Sequence, residues 1–263
     1  MLPESSANIV AIIPARFAST RLPGKVLLEI NGKPLIQYVY ESVSKSKLIG
    51  DIIVATDNQK VVDAVELFGG KAILTPSEMK SGSDRIAYVA RNLENAEIIV
   101  NVQGDEPLIS NEVIDNTTNL LLDDQTVLVA TPIKRITNGQ DLINPNVVKV
   151  VVDKFANAIY FSRSMIPYCR DAKGLDEWII KSNMYFKHIG IYVFRREFLI
   201  KFSDMEESEL EKVEKLEQLR IIENGYKIKT IITDYENFSV DTMEDFEKIK
   251  ELLTREKRSY GSR

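Results

Sequence analysis

Cysteine and histidine are nearly absent: the 263 residues hold one of each, Cys169 and His188. A single thiol closes no internal disulfide and gives no metal-ligand cluster, so Cys169 reads as a spectator and secretion has no support. No G-x-S-x-G elbow is present and Cys169 has no sequence partner, so no nucleophile for a covalent intermediate is signalled. Surplus positive charge is missing too, since 34 Lys and Arg face 39 Asp and Glu for a net charge of -5. A nucleic-acid binder needs that surplus against the phosphate backbone, so no nucleic-acid partner is expected. No run approaches the ~18 apolar residues of a membrane span, and MLPESSAN is polar and too short for a signal sequence. No membrane insertion and a cytoplasmic location follow as expectations. Two glycine signatures are also lacking, the Walker A loop and the dinucleotide G-x-G-x-x-G.

What is there begins with IVAIIPARFASTRLPGK, Ile9 to Lys25. An apolar strand empties into a loop carrying Arg16, Ser19, Thr20, Arg21, Gly24 and Lys25. Cations and hydroxyls on a turn at the carboxyl end of a buried strand suit a bound anion, as in nucleotide sites of open α/β sheets. Two acids follow β-rich segments, Asp105 in NVQGDEP and Asp241 in FSVDT. One or two carboxylates completed by substrate phosphates and water are what Mg²⁺ prefers. Each feature has a plainer explanation: solvated loop cations for Arg16 and Lys25, a turn former for Asp105 and a helix N-terminal acid for Asp241. Yet the basic loop, SGSDR at Ser81 to Arg85, QGDEP and VDT all fall where loops at one edge of an α/β sheet would converge. His188 in YFKHIGIY stands alone and reads more readily as a core or surface residue than as a catalyst.

With 44% hydrophobic residues the chain can fill one large α/β domain or two lobes. Leu35, Ile36, Val39, Tyr40 and Val43 share a helical face behind Pro34. DIIVATD reads as a strand, NQKVVDAVELFGG as a helix with Val61, Val62, Val65 and Phe68 inward, and KAILT as a strand. Ile86, Val89, Ala90 and Leu93 mark a helix before the strand EIIVNV. This alternation predicts a parallel, doubly wound sheet. The second half, with VLVATPI, NVVKVVVD, AIYFSRS and HIGIYVF, predicts an antiparallel or mixed lobe. SELEKVEKLEQLRIIENG reads as one long helix with Leu210, Val213, Leu216, Leu219 and Ile222 inward and a stop at Gly225. IKTIIT and SVDT lead to a last helix capped by Thr242 with Asp245. The basic tail after it reads as frayed.

IIPARFASTRLPGK, VATD, SGSDR, NVQGDEP, NPNVVKVV, YFSRSMIP, KHIGIY, LEQLR and VDTMED, taken in order from about Ile9 to Leu253, resemble the 3-deoxy-manno-octulosonate (Kdo) cytidylyltransferases. Relatives that activate the 8-amino sugar have GDQP at the acidic turn, whereas Glu106 here favours Kdo itself. The resemblance implies a Rossmann-like, GT-A-like nucleotidyltransferase with a mostly parallel central sheet and a smaller β-rich lobe for sugar binding and dimerisation. It implies an N-terminal extension at 1–8, a domain at 9–254 divided into 9–132, 133–227 and a returning 228–254, and a tail at 255–263. CTP and Kdo are then the substrates and a homodimer the assembly. Arg16 and Lys25 would hold the triphosphate, and Asp105 and Asp241 would carry Mg²⁺. Ser81, Gly82, Ser83 and Arg85 would sit near the base and ribose, with Gln103 also at the nucleotide. Gln103, Arg163, His188, Glu217 and Gln218 would recognise the sugar acid. A different 2-keto acid sugar, or a nucleotide-binding module without turnover, stands as the alternative.

Overall fold

The structure is a computed structural model that describes residues 8–18, 22–79, 81–175, 177 and 184–260, the side chains of 255–260 excepted. Ser19, Thr20 and Arg21 of the expected cradle, and all but Asn8 of the expected extension, lie outside the described residues. In chain order come β1 (Ile9–Ala15), a 3-10 turn (Lys25–Leu27), β2 (Glu29–Ile30), β3 (Lys33–Pro34), α1 (Leu35–Val43), β4 (Asp51–Thr56), α2 (Gln59–Leu67) and β5 (Lys71–Leu74). Next are α3 (Gly82–Arg91), β6 (Ile98–Asn101), α4 (Asn111–Asp123), β7 (Val129–Arg135), α5 (Gly139–Ile143), β8 (Lys149–Val152) and β9 (Ala158–Ser162). β10 (Phe186–His188), β11 (Tyr192–Arg195), α6 (Arg196–Ser203), α7 (Glu209–Glu214), α8 (Gln218–Glu223), β12 (Lys229–Ile232) and α9 (Met243–Tyr260) follow. No described helix is long and apolar enough to cross a membrane.

The chain divides into two compact units, the first running to Asp115 and resuming at Asn237, the second spanning Asn116–Glu236. These boundaries differ from the expected 132 and 227. β7 is the reason: it pairs with β10, β11 and β12, so it and the supposedly returning β12 both belong to the second unit.

In the first unit the strand order is β5-β4-β1-β6, and every pairing is parallel. β1 is buried at all seven positions, as a parallel strand covered on both faces should be. Leu35, Ile36, Val39 and Val43 of α1 and Val61, Val62 and Val65 of α2 are buried. Tyr40 is only half-buried and meets Phe68 edge-on. The chain runs outward from β1 through β4 to β5, then returns to place β6 on the other side of β1. That reversal opens a crevice beyond the carboxyl ends of β1 and β6, the place where open α/β sheets take ligands. The final segment closes the unit, with Val240, Phe246 and Ile249 packing on Ile30 and Leu35. α9 stays helical to Tyr260, through most of the segment expected to fray. Glu244 and Asp245 in its first turn and an i,i+4 Glu244–Lys248 pair favour it.

The second unit is mixed, as expected: β7 pairs antiparallel with β10 and β11 and parallel with β12. HIGIYVF forms two short strands, not one, because the chain turns at Ile189–Ile191. The expected long helix is also two, α7 and α8, broken where Lys215 adopts a left-handed φ of 54°. Leu216 and Leu219 are buried and Ile222 half-buried, but Leu210 and Val213 are 38% and 81% exposed. The break has a non-local cause, since Arg163 binds the carbonyls of Glu214 and Lys215 just where a continuing helix would need them. Glu211 and Arg220, a buried ion pair at 2.5 Å, then tie α7 to α8.

Candidate functional site

A cavity of ≈ 350 Å³ lies in the first unit, lined by Pro14, Arg16, Lys25, Gly82, Gln103, Gly104, Asp105 and Asp241 among others. Its walls are the segments after β1 and β6, the start of α3 and the approach to α9. This is the convergence expected of the basic loop, SGSDR, QGDEP and VDT. Lys25 opens the 3-10 turn behind Gly24, whose φ of 69° is one that glycine adopts without strain. Asp105 follows Gly104, and a Cβ at Gly104 would stand 2.8 Å from the Pro14 carbonyl oxygen. Only glycine lets this turn pass so close to β1. Asp241 follows an irregular stretch and not the expected short strand; the Val240 N–H donates to the Asp105 carbonyl at 2.9 Å and brings the two acids side by side.

The two carboxylates meet on one cation. Lys25 Nζ lies 2.5 Å from Asp105 Oδ2 and 3.0 Å from Asp241 Oδ1, and donates to the Val240 carbonyl at 2.8 Å. Burial works to lower the Lys25 pKa, but Asp105 first and Asp241 after it outweigh burial and raise it. Among the described residues no three His, Cys, Asp or Glu side chains are grouped to hold a metal. A pair of hard carboxylate oxygens converging on one point nevertheless fits Mg²⁺ whose remaining ligands come from substrate and water.

The start of α3 carries a capping box. Ser81 Oγ accepts the Asp84 N–H, and Asp84 accepts the Ser81 N–H. The Gly82 and Ser83 amides are first-turn groups that a helix leaves without an intrahelical partner. Arg85 follows in the same helix. Its side chain is fully buried, with Nη2 3.1 Å from Asp57 and Nη1 on the Thr75 hydroxyl, and it is not among the residues lining the cavity. Burial lowers its pKa, Asp57 opposes this, and Arg16 adds repulsion.

In the second unit, Thr131 Oγ lies 2.7 Å from the Ile191 carbonyl, 3.2 Å from the Ile189 carbonyl and 2.9 Å from His188 Nε2. Burial pushes the His188 pKa down to about 3, so the ring stays neutral. The Tyr192 ring centroid is 5.1 Å from that of His188. Burial, and then the Glu217 carboxylate, raise the Tyr192 pKa well above the usual range. Gln218 is buried at the start of α8. Arg163 Nε and Nη1 donate to the Glu214 and Pro145 carbonyls at 2.8 and 3.0 Å.

A family model described as cytidylyltransferase matches residues 10–231. The chain belongs to the cytidylyltransferase family. A 3-deoxy-manno-octulosonate cytidylyltransferase of Geotalea daltonii is 49% identical over 249 residues, covering 94% of this chain and 98% of the relative. That of Thermodesulfovibrio yellowstonii is 46% identical over 253 residues, covering 93% and 97%. The solved structure of a CMP:2-keto-3-deoxy-manno-octonic acid synthetase complexed with CTP is 41% identical, with a TM-score of 0.88, and covers 95% of this chain and 100% of that one.

Of the residues expected to serve a cytidylyltransferase, Arg16, Lys25, Gly82, Gln103, Asp105 and Asp241 line one cavity. His188 and Glu217 both act on Tyr192. Arg85 pairs with Asp57, and Arg163 donates to the Glu214 and Pro145 carbonyls. Sequence reasoning gave no role to Thr131 and Tyr192, whose positions inside β-rich runs look like ordinary core. It gave none to Asp57 either, although an acid at the carboxyl end of VATD was a usable signal.

Proposed function

We propose that this cytidylyltransferase transfers CMP from CTP to Kdo, giving CMP-Kdo and pyrophosphate. The observation that carries the reading is the convergence of Asp105 and Asp241 on Lys25, beside Arg16, in a cavity at the β1/β6 reversal. The names of relatives 46 to 49% identical over nearly the whole chain support the substrates. The anomeric hydroxyl of Kdo attacks the α-phosphorus of CTP, and the bond to the β-phosphate bridging oxygen breaks as pyrophosphate leaves. Arg16 and Lys25 offset the negative charge that grows toward the leaving group. Asp105 and Asp241 hold Mg²⁺, which supplies charge neutralisation at the phosphates when bound. Before nucleotide arrives, the Lys25 ammonium bridges these two carboxylates and offsets part of their charge.

Gly82, Ser83 and Gln103 serve the nucleotide. Glu217 and Gln218 offer hydrogen-bonding groups to the sugar, and His188 offers a neutral imidazole; with a pKa near 3 it takes no proton at neutral pH. The same reading makes the protein a cytoplasmic homodimer that supplies activated Kdo for lipopolysaccharide, in keeping with the resemblance. The test is Asp105→Asn and Asp241→Asn: each should fold and lose at least ~10²-fold in turnover. Variants that unfold yet keep full activity per folded molecule would show that these acids only support their loops.

A further inference from the structure

Arg85 is a fully buried cation whose single carboxylate partner among the described residues is Asp57, and neither residue lines the cavity. Burying such a pair stabilises poorly compared with apolar packing, so what it holds in place is the more informative question. Asp57 Oδ2 takes Arg85, and Asp57 Oδ1 accepts the Phe17 N–H at 3.0 Å. Thr75 completes the anchor: its hydroxyl donates to the Thr56 carbonyl at 2.8 Å and so accepts from Arg85. The Phe17 carbonyl in turn accepts the Gly24 N–H at 2.9 Å. The Phe17 ring covers Gly24 so closely that a Cβ there would lie 3.3 Å from it. Arg16 immediately precedes Phe17, and Lys25 immediately follows Gly24.

We propose that Asp57, through the bond that its side-chain oxygen accepts from the Phe17 N–H, is a positioning residue that fixes Phe17 and thereby sets where Arg16 and Lys25 meet the triphosphate. The inference rests on the nucleotidyltransferase reading for what the two cations hold. Arg85 is a spacer behind the site and not a contact to base or ribose.

Two double variants separate positioning from general stability. Asp57→Asn with Arg85→Met removes both charges but keeps an acceptor for Phe17, whereas Asp57→Ala with Arg85→Met removes the acceptor too. Hydrogen exchange of the Phe17 amide and calorimetric binding of CTP are measured in both, alongside melting temperature. The Asn form should keep Phe17 protection and bind CTP within about twofold of the unmodified protein. The Ala form, at a matched melting temperature, should lose protection and bind roughly tenfold more weakly, since small displacements of binding groups are costly. Retained protection in the Ala form, unchanged CTP binding despite lost protection, or equal weakening in both forms would each overturn the proposal. If either double variant fails to fold, Gly24→Ala strains the other half of the clasp at its φ of 69° and should give the same tenfold loss; full affinity would overturn the proposal. Failure of the unmodified protein to bind CTP would instead count against the nucleotide reading, and Phe17 protection alone would then decide whether the clasp exists.

Discussion

Glu106 sits where a carboxyl is least comfortable. It is 3% exposed, Oε1 accepts from Asn237 Nδ2 at 3.0 Å, and Oε2 has no hydrogen-bond partner among the described residues. Burial first, and the neighbouring Asp105 charge second, push its pKa up to about 8, against the opposing bond from Asn237. The folded value therefore exceeds the unfolded one, so the protonated carboxyl's contribution is complete below about pH 4.5 and is lost as pH rises through about 8. Glu106→Gln should then gain on the unmodified, metal-free protein across that window, by as much as ~1.4 kcal/mol per pH unit, and level off above it. Denaturant unfolding at several pH values checks this, and a pH-independent difference would contradict it. At this scale the sequence exposed residue type but not environment. Lys25, Asp105 and Asp241 were legible because chemistry selects them, whereas the inward turn of Arg85 depends on Asp57 and Thr75, which only the fold brings beside it.

Gly104 shows how an element delivers a site residue. The turn after β6 passes the Pro14 carbonyl too closely for any Cβ, and Asp105 is the next residue. Gly104→Ala should cost about 1–3 kcal/mol by overpacking and also lower turnover per folded molecule, because the displaced turn carries Asp105 with it. Thermal melts with active-site-normalised kinetics check this; a stability loss with unchanged kinetics would free the turn from that role. Arg163 makes the corresponding case in the second unit. Arg163→Ala strips donors from the Glu214 and Pro145 carbonyls and should cost on the order of 1–3 kcal/mol at the α7–α8 break. Unchanged stability with weaker Kdo binding would return Arg163 to the sugar-binding role that the family resemblance implies. Helices and strands of the first unit were legible because apolar spacing there follows one period per element. The break at Lys215 was not, because its cause is Arg163, just after β9 and far away in sequence.

Across the whole chain, the first unit depends on residues from both ends. β1 supplies the buried strand that leads to Arg16, β6 leads to Asp105, and the last segment brings Asp241 beside it while Phe246 and Ile249 close the core. The parallel half and the mixed half were both readable from the alternation of patterns. Their boundaries were not, because strand pairing and not sequence order decides that β7 and β12 belong together. Function was legible in a similar way: the paired acids and cations pointed to a nucleotide and Mg²⁺ site, and the family resemblance carried by the later motifs implied the acceptor. Pyrophosphate release, measured with each of the four nucleoside triphosphates, with and without Kdo and Mg²⁺, tests this assignment most directly. The account predicts turnover only when CTP, Kdo and Mg²⁺ are present together; equal turnover with UTP, or with a neutral hexose phosphate in place of Kdo, would contradict it.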